Sequence, residues 1–297
     1  MENIELKLSK CAGSQRLDLA IVEHHSTLSR RKARKIIDDG GCFVNKKRTR
    51  VASRLVRNGD HVKLFYYKKS LKLNVQPMNH GQLVFENNDF IIINKPAFLP
   101  SQPMLTQSKI HLIPWLTEYC PRWESSLFLV HRLDMETSGL MIVAKSKKIQ
   151  LYFLELFKNR KIQKKYYAVV NGNVPWQEKK VVNYLSAIKG AKMTVHATSE
   201  DHGKSAETKF KKNKSYPGMD VVICKPVTGR SHQIRVHLDG LGFPVVGDKK
   251  YGSAAPLHNV PAHMLFAFSL KFKGPHDNDF DFALKFPEKW QEVINLG

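Results

Sequence analysis

The segment HRLDMETSG at residues 131–139 contains the strongest candidate for a reactive side chain, Asp134. Apolar residues typical of strands precede and follow it, so Asp134 is expected where a strand gives way to a tight turn. Loop residues held in place by rigid strands are common positions for catalysis. The alternative is structural, because an aspartate can also accept backbone hydrogen bonds from the Thr-Ser-Gly turn that follows.

The segment PVTGRSHQIR at residues 226–235 combines a turn with the beginning of a helix. Ser231 is predicted to cap this helix, because serine accepts hydrogen bonds from the free backbone amides of a first turn. Arg235 then lies among buried neighbours, where an unpaired charge is costly. We therefore predict an anionic partner for Arg235, with Asp134 as the candidate and a structural ion pair elsewhere as the alternative. The buried stripe of the helix is predicted to comprise Ile234, Leu238 and Leu241.

The segment KKYYAVV at residues 164–170 has the pattern of a strand with two adjacent tyrosines. Successive side chains of a strand point to opposite faces, so Tyr166 and Tyr167 face different environments. One ring can present its plane to a site while the other packs in the core. Core packing is the alternative for either ring.

Metal and nucleotide cofactors receive no support from the sequence. His232 and His237 could bind a metal by residue type, but no third ligand has a matching spacing. Neither GxGxxG nor GxxxxGK[ST] occurs. The cysteines form no CxxC pair, indicate neither a zinc site nor a disulfide framework, and fit a reducing cytoplasm. We therefore predict no metal and no cofactor. The four cysteines are Cys11, Cys42, Cys120 and Cys224.

The charge of the chain indicates a polyanionic partner. Its 297 residues include 48 Lys and Arg against 26 Asp and Glu, a net charge of +22. Such a surface favours nucleic acid more often than an anionic membrane. No apolar run approaches the roughly 18 residues that a membrane span needs, and the N-terminus MENIELKLSK lacks the apolar core of a secretory signal. We expect a cytoplasmic protein without a membrane partner.

Much of this charge lies in the first quarter of the chain. Residues 1–70 contain 17 Lys or Arg and 7 Asp or Glu, which gives 17 − 7 = +10. Two short helices at 16–24 and 30–39, followed by strands at 42–50 and 61–67, predict a small separate domain. Its cations form a plausible surface for phosphate groups, and a merely solvated helix face is the alternative. The candidate RNA-binding residues are Arg30, Arg31, Arg34, Lys35, Lys46 and Lys47.

The remaining chain alternates short strand-like runs with turns and has few helical segments. Helices are predicted only at 149–159 and 231–242, so the fold class is α+β with a mixed or antiparallel sheet. A polar stretch with Pro77 and Gly81 predicts a linker at 71–82, between a first domain at 14–70 and a second at 83–297.

These segments together resemble the RluA-type family of pseudouridine synthases. HRLDMETSG and PVTGRSHQIRVHL are similar to the two most specific motifs of the family, and KKYYAVVNG is similar to its tyrosine motif. NKPAFLPSQP at 94–103 and GFPVVGDKKYG at 242–252 resemble two further motifs. Residues 16–64 resemble an S4-type RNA-binding module. The resemblance covers nearly all of the chain from Arg16 to about residue 290.

The resemblance implies that uridine in RNA is isomerised to pseudouridine without a cofactor. Asp134 is then the essential carboxylate, either as nucleophile at the anomeric carbon or as base for the ribose 2′ proton. Both roles need an ionised carboxylate, which an ion pair with Arg235 favours. Tyr166 would stack on the target base and assist proton transfer, so that Asp134, Tyr166 and Arg235 are the candidate catalytic residues. Arg132 would fill the gap that the flipped nucleotide leaves, and Arg230 would lie on the RNA-facing turn.

Ribosomal RNA of the large subunit is the expected partner of a monomeric enzyme, and transfer RNA is the second candidate. Two other classes stay open: a catalytically inactive RNA-binding factor, and a base-exchanging glycosylase that would release free base. The sequence departs from the usual family residues at three positions. Phe98 stands in place of a glycine, and Gln102 and Phe266 stand in place of histidines. These departures concern the shape of substrate loops.

Overall fold

The computed structural model divides the chain into two compact units. The first comprises Met1–Asn74 and Pro100–Trp115, and the second comprises Val75–Leu99 and Leu116–Gly297. The sequence-based limits 14–70, 71–82 and 83–297 stay a prediction, and positions 11, 67–70 and 71–75 lie outside the described residues. The structure describes residues 2–8, 13–38, 40–66, 76–103, 110–187, 193–196, 203–252 and 260–295.

The described residues between 2 and 66, which belong to the first unit, form two helices and six short strands. An antiparallel sheet has the order β1-β6-β3-β4, and β2 pairs with β5. The N-terminal strand β1, which the sequence did not indicate, pairs along its whole length with β6. The elements are β1 (Glu2–Lys7), β2 (Gln15–Arg16), α1 (Leu17–His24), α2 (Arg30–Asp38), β3 (Cys42–Val44), β4 (Lys47–Thr49), β5 (Leu55–Val56) and β6 (His61–Tyr66).

Helix α2 begins and ends where its sequence predicts. The Ser29 hydroxyl accepts the backbone N–H of Lys32 at 3.3 Å, as expected of an N-cap. At the other end, Gly40 adopts a left-handed φ of +77° and closes the helix. The apolar face predicted for this helix is buried, and it is formed by Ala33, Ile36 and Ile37.

The second unit is built on one large sheet. Its main path has the order β13-β12-β14-β15-β11-β16-β10-β8-β7, and β9 and β17 pair at its sides. The described elements are β7 (Leu83–Glu86), β8 (Phe90–Lys95), α3 (Leu112–Tyr119, beginning in the first unit), β9 (Phe128–Leu129), β10 (Ser138–Ala144), α4 (Lys147–Lys158), β11 (Gln163–Asn171), β12 (Glu178–Ala187), β13 (Met193–His196), β14 (Lys204–Tyr216), β15 (Met219–Pro226), α5 (Gln233–Gly240), β16 (Leu265–Lys273), β17 (Asp279–Ala283) and α6 (Glu288–Asn295).

The sheet confirms the predicted α+β class with mixed strand directions. Its described strand pairs are antiparallel except β10 and β16, which run parallel. Helix α4 packs Ile149 and Phe153 against β8 and β10. Helices α5 and α6 lie on opposite faces of β11, because alternate residues of that strand pack with Ile234 of α5 and with Ile294 of α6. No helix in the described ranges is long and apolar enough to cross a membrane.

Three helix predictions need correction. Helices α3 and α6 are not among the helices predicted from the sequence. The helix predicted at 231–242 is confined to Gln233–Gly240. Ser231 does not cap it: the N-cap is His232, in a left-handed conformation with φ 56° and no capping hydrogen bond from its side chain.

Gly139 marks the point where the two parallel strands meet. It pairs with Ala267 across β10 and β16 and has a φ of +114°. A Cβ at this position would lie 2.6 Å from the backbone nitrogen of Ala267, closer than atoms can approach. Only glycine therefore allows the turn after Asp134 to join the sheet.

Gly139→Ala should destabilise the second unit by several kcal/mol, since strand separation adds to an unfavourable φ. Gly218→Ala is the matched control: Gly218 also has a positive φ, of 68°, but a Cβ there would meet open space. The control should lose only about 1–2 kcal/mol. Urea unfolding followed by circular dichroism measures both, and equal losses would contradict the role assigned to the close strand contact.

Candidate functional site

A cavity of about 510 Å³ in the second unit brings the three candidate segments together. Asp134, Tyr166 and Arg235 all line it, although 101 residues separate the first from the last. Its volume lies in the range of small-molecule and nucleotide pockets. Besides Arg235, five further cations line the same cavity, namely Arg132, Lys158, Arg160, Lys164 and Arg230.

Asp134 and Arg235 form the expected ion pair, with 2.9 Å between Oδ2 of Asp134 and Nη1 of Arg235. The side chain of Asp134 is 27% exposed, whereas that of Arg235 is 8% exposed. The alternative role for Asp134 was to accept backbone hydrogen bonds from the turn through its side chain. In this turn the N–H of Thr137 donates to the backbone oxygen of Asp134 instead. The carboxylate of Asp134 therefore faces the cavity with one strong cationic partner.

The sequence did not indicate the second partner of Arg235. Asp248, completely buried, accepts Nε of Arg235 at 2.6 Å and Nη2 at 2.8 Å. Burial acts to lower the pKa of Arg235, but the hydrogen bonds and charges of Asp248 and Asp134 outweigh it and raise the pKa above its usual value. Arg235 therefore forms both ion pairs that the sequence left open, one with Asp134 and one with a second carboxylate, Asp248. Arg235 remains a cation between two carboxylates.

The turn that carries Asp134 is held from two sides. The buried ammonium of Lys95 donates to the carbonyl oxygen of Met135 at 3.2 Å. The buried imidazole of His263 contacts Thr137 Oγ1 at 2.7 Å through Nε2, and its Nδ1 lies 3.4 Å from the carboxylate of Glu136. These contacts fix successive residues of METS relative to the sheet.

Lys95 belongs to the NKPAFLPSQP segment, and the family resemblance assigns this residue no role. Its ammonium also donates to the carbonyl oxygens of Pro96 at 2.8 Å and Leu99 at 2.9 Å. Burial lowers the pKa of Lys95 to about 7, and the charge of Asp134 acts in the opposite direction. Within the same loop, Phe98 has a φ of 66°, a conformation that glycine adopts more readily. This conformation explains the usual glycine at that position.

The start of helix α5 arranges polar side chains around the cavity. The hydroxyl of Ser231 accepts Nη2 of Arg132 at 2.6 Å, so it binds the HRLD segment rather than the helix. The Nε2 atom of His232 lies 3.9 Å from Oδ1 of Asp134, and its Nδ1 is 2.8 Å from the hydroxyl of Tyr251. Burial lowers the pKa of His232, and Asp134 opposes that shift.

Gln233 organises the turn before α5. Its Oε1 accepts the hydroxyl of Thr228 at 2.6 Å and the backbone N–H of Arg230 at 3.0 Å. Its amide nitrogen donates to the carbonyl oxygen of Glu207 and to the hydroxyl of Thr208, both at 2.9 Å. The turn is therefore bound to β14. Arg230 itself donates from Nε to the carbonyl oxygen of Ser205 at 2.9 Å.

The two tyrosines of β11 face opposite sides of the sheet, as predicted. Tyr166 lines the cavity, while Tyr167 stacks on Phe268 with 3.8 Å between ring centroids. Burial, then the charge of Asp134, raises the pKa of Tyr166 well above its usual value. Its phenol is therefore a neutral O–H group at the cavity wall.

The candidate cations of the first unit are exposed, but two of them are bound to a buried aspartate. The carboxylate of Asp18 in α1 accepts hydrogen bonds from three arginine Nε atoms. The distances are 3.0 Å for Arg30, 2.7 Å for Arg34 and 3.0 Å for Arg16. Because Arg30 and Arg34 bond through Nε, their guanidinium groups are fixed while the side chains remain about half exposed. The other candidates, Arg31, Lys35, Lys46 and Lys47, are exposed.

The two histidines considered as metal ligands do not converge. His237 contacts Oδ1 of Asn183 at 2.9 Å through Nε2, whereas His232 contacts Tyr251. Among the residues that the structure describes, no group of three or more His, Cys, Asp or Glu could hold a metal ion.

Sequence reasoning missed Lys95, Asp248 and His263. The first two lie inside segments whose resemblance was noted, and their signal was a charged residue within an otherwise apolar or glycine-rich run. His263 directly follows Pro261 and Ala262, and its surroundings carry no such signal. All three are buried polar residues that require partners from distant parts of the chain.

Comparison with protein-family models agrees with this site. A model described as RNA pseudouridylate synthase matches residues 89–239, and a model described as S4 domain matches residues 15–62. The first match includes Asp134, Tyr166 and Arg235. The chain belongs to the RNA pseudouridylate synthase family. Within that family it is an RluA-type enzyme, an RNA pseudouridine synthase with an S4 domain at its N-terminal side.

Individual relatives extend the similarity over most of the chain. A protein of Buchnera aphidicola subsp. Baizongia pistaciae named ribosomal large subunit pseudouridine synthase C is 32% identical over 83% of this chain and 80% of its own. An uncharacterised RNA pseudouridine synthase of Bacillus subtilis is 27% identical over 99% of this chain and 98% of its own. The solved structure of human RNA pseudouridylate synthase domain containing 1 is 25% identical, with a TM-score of 0.60, over 69% of this chain and 83% of that one.

His131, the first residue of the HRLD segment, binds the backbone of β10 beyond the end of its pairing with β9. Strand β9 pairs with β10 only as far as Leu129 and Val143. Beyond that pair, Nε2 of His131 accepts the backbone N–H of Ile142 at 2.9 Å. A neutral imidazole is required for this bond. Burial, then the nearby charge of Lys164, lowers the pKa of His131 to about 3.

The enzyme should lose stability in mild acid through His131. Its pKa lies below the unfolded value of 6.5, so the unfolded chain binds more protons, and the free energy of unfolding falls from pH 6.5 toward about 3. Between pH 7 and pH 5 this group lowers the free energy of unfolding by about 2 kcal/mol. His131→Gln retains an acceptor but does not titrate, so urea unfolding at pH 7 and pH 5 should show a loss smaller by that amount. The exposed His80 provides the control variant His80→Gln; identical pH dependence in all three proteins would refute the assignment.

Proposed function

We propose that this RNA pseudouridine synthase isomerises uridines of large-subunit ribosomal RNA, with Asp134 as its catalytic residue and without a cofactor. The observation that carries the proposal is the partly exposed carboxylate of Asp134 at the wall of a cavity that Tyr166 also lines, bound to Arg235 at 2.9 Å. We also propose a division of labour in which the S4 domain binds RNA and the second unit carries out the chemistry.

The reaction balances without an added reactant. The bond between N1 of uracil and C1′ of ribose breaks, the base turns within the cavity, and a bond forms between C5 and C1′. The proton on C5 leaves and N1 gains a proton, so no net hydrolysis or redox change occurs. Chemistry of this kind needs a positioned carboxylate and an enclosed base, and it needs no redox cofactor.

Asp134 can start this reaction in two ways. Its carboxylate attacks C1′ as the base departs, or it removes the 2′ proton of the ribose. Both routes need the ionised form, which Arg235 stabilises through a charged hydrogen bond. A carboxylate held by one bond from Nη1 keeps Oδ1 available toward the cavity.

Tyr166 and the cavity cations supply the binding. The base must leave its stack before C1′ is accessible, at a cost of a few kcal/mol. Stacking on an aromatic ring such as Tyr166 returns about 1–3 kcal/mol of this cost. Arg132, held by Ser231, would fill the space of the flipped nucleotide, and Arg230 would contact the RNA backbone beside the cavity.

Ribosomal RNA is preferred over transfer RNA as the substrate. The Buchnera relative described above is named for the large ribosomal subunit and is similar to this chain over most of its length. The strong net charge of +22 suits a large, structured RNA with many phosphate contacts. The monomeric state and the cytoplasmic location stay predictions.

Asp134→Asn should reduce the single-turnover rate more than about 100-fold, since the amide can neither attack C1′ nor remove the proton from C2′. The substrate is large-subunit ribosomal RNA transcribed with tritium on C5 of uridine, and release of tritium into water reports the C5–C1′ bond. RNA affinity should be unchanged. Asp239→Asn, an exposed carboxylate on α5, is the control. A rate within tenfold of the parent would exclude Asp134, and release of tritiated free uracil would instead identify a glycosylase.

Replacing Arg31 and Lys35 together by glutamine should weaken RNA binding and reduce its dependence on salt. If both contact phosphates, the slope of log affinity against log salt should become shallower by about 1.5. Lys285→Gln with Lys289→Gln is the matched control, because it removes two exposed charges at the same spacing from the second unit. Equal slopes in the parent and the Arg31–Lys35 variant would mean that α2 does not touch RNA.

A further inference from the structure

We propose that Asp248 is a positioning residue, which aims the guanidinium of Arg235 at the carboxylate of Asp134. The inference deepens the proposed function and rests on it, because it concerns the geometry of the same catalytic carboxylate. Asp248 touches neither the cavity that encloses Tyr166 nor a group placed to react; it acts through Arg235.

The donors of Arg235 are divided between two carboxylates. Nε and Nη2 bind Oδ2 and Oδ1 of Asp248 at 2.6 and 2.8 Å, and Nη1 alone binds Oδ2 of Asp134 at 2.9 Å. Two parallel bonds along one edge of a planar guanidinium fix both its position and its rotation. Once that edge is fixed, the direction of Nη1 is fixed as well.

Asp248 is itself held more rigidly than Asp134. Its Oδ1 also accepts the backbone N–H groups of Lys250 at 2.9 Å and Tyr251 at 3.1 Å, and its side chain is completely buried. The ring of Tyr251 lies beneath the guanidinium of Arg235, 5.1 Å from its central carbon. In the loop after Gly247, the carboxylate of Asp248 and the ring of Tyr251 therefore determine the direction of the Arg235 guanidinium.

The difference between the two carboxylates suits their different tasks. A carboxylate that reacts with ribose must be free to move by a fraction of an ångström, so a single bond and 27% exposure suit Asp134. A carboxylate that only orients a cation gains from burial and from bonds to both oxygens, as Asp248 has. The three groups together carry one net negative charge, so the carboxylate of Asp134 is not fully neutralised.

The primary test is Asp248→Asn in the full-length protein. An asparagine is almost the same size but presents N–H donors to Arg235 or to the loop amides, so it disrupts the paired edge. With tritiated large-subunit ribosomal RNA as the probe, we expect a single-turnover rate about 100-fold lower, as for displaced catalytic groups. The dissociation constant for RNA should stay within about threefold of the parent, since Asp248 adds no RNA contact.

Asp220→Asn is the matched control. Asp220 is also a completely buried aspartate of the second unit, where it pairs with Lys212 at 3.1 Å and accepts the backbone N–H of Val174 at 2.7 Å. It lies outside the residues that line the catalytic cavity. The control should lower the unfolding temperature by a similar amount and leave the single-turnover rate at the parental value.

A double-mutant cycle tests whether Asp248 acts through Arg235. The Arg235→Lys variant alone should have a low single-turnover rate, because an ammonium lacks the planar edge of a guanidinium and cannot orient toward two carboxylates at once. Adding Asp248→Asn to Arg235→Lys should slow the enzyme no further, since the positioning function is already lost. Independent, multiplicative losses would overturn the inference.

The rates of the Asp248 variants, of Asp220→Asn and of the parent enzyme decide between the remaining outcomes. A parental rate for folded Asp248→Asn overturns the inference, and so does a fall in rate matched by Asp220→Asn at equal loss of stability. If Asp248→Asn does not fold by circular dichroism, Asp248→Glu takes its place. Its longer side chain keeps the charge but shifts the paired edge, so a parental rate there overturns the inference as well. An inactive parent would instead refute the proposed function.

Discussion

The buried charge of Arg235 is the constraint on which the rest of the site depends. A guanidinium removed from water must be paired and hydrogen-bonded, or its cost is a large fraction of the stability of a domain. Helix α5 carries Arg235 into the core beside Ile234 and Leu238. Two separate loops must therefore each bring an aspartate to the same place, and the turn with Asp134 and the loop with Asp248 do so.

The position of Asp134 is determined several times over. Lys95 binds the backbone of the following residue, His263 binds the side chains of the next two, and Gly139 allows the turn to end against β16. Each contact comes from a different strand or loop of one sheet. The carboxylate of Asp134 can then remain partly exposed while its backbone is rigid, which suits the catalytic role proposed for it.

The two units use the same physical device for different purposes. A buried aspartate, Asp18 in the first unit and Asp248 in the second, binds arginines and fixes the direction of their remaining N–H groups. The prediction treated Arg30 and Arg34 only as positive charge on a helix face. It could not show their attachment to Asp18, because hydrogen bonds between α1 and α2 depend on how the helices cross.

The sequence by itself determined the parts of this protein that follow local rules. Strand and helix periodicity, the caps of α2, the opposite faces of Tyr166 and Tyr167, and the motifs of the family are all encoded by neighbouring residues. The pairing of Asp134 with Arg235 was predictable because a buried arginine needs an anion. Only the tertiary structure decided that Asp248 takes two of its three bonds, and that Ser231 binds Arg132 instead of capping α5. These hydrogen-bond partners lie far apart in the chain, and they come within bonding distance only when the sheet assembles.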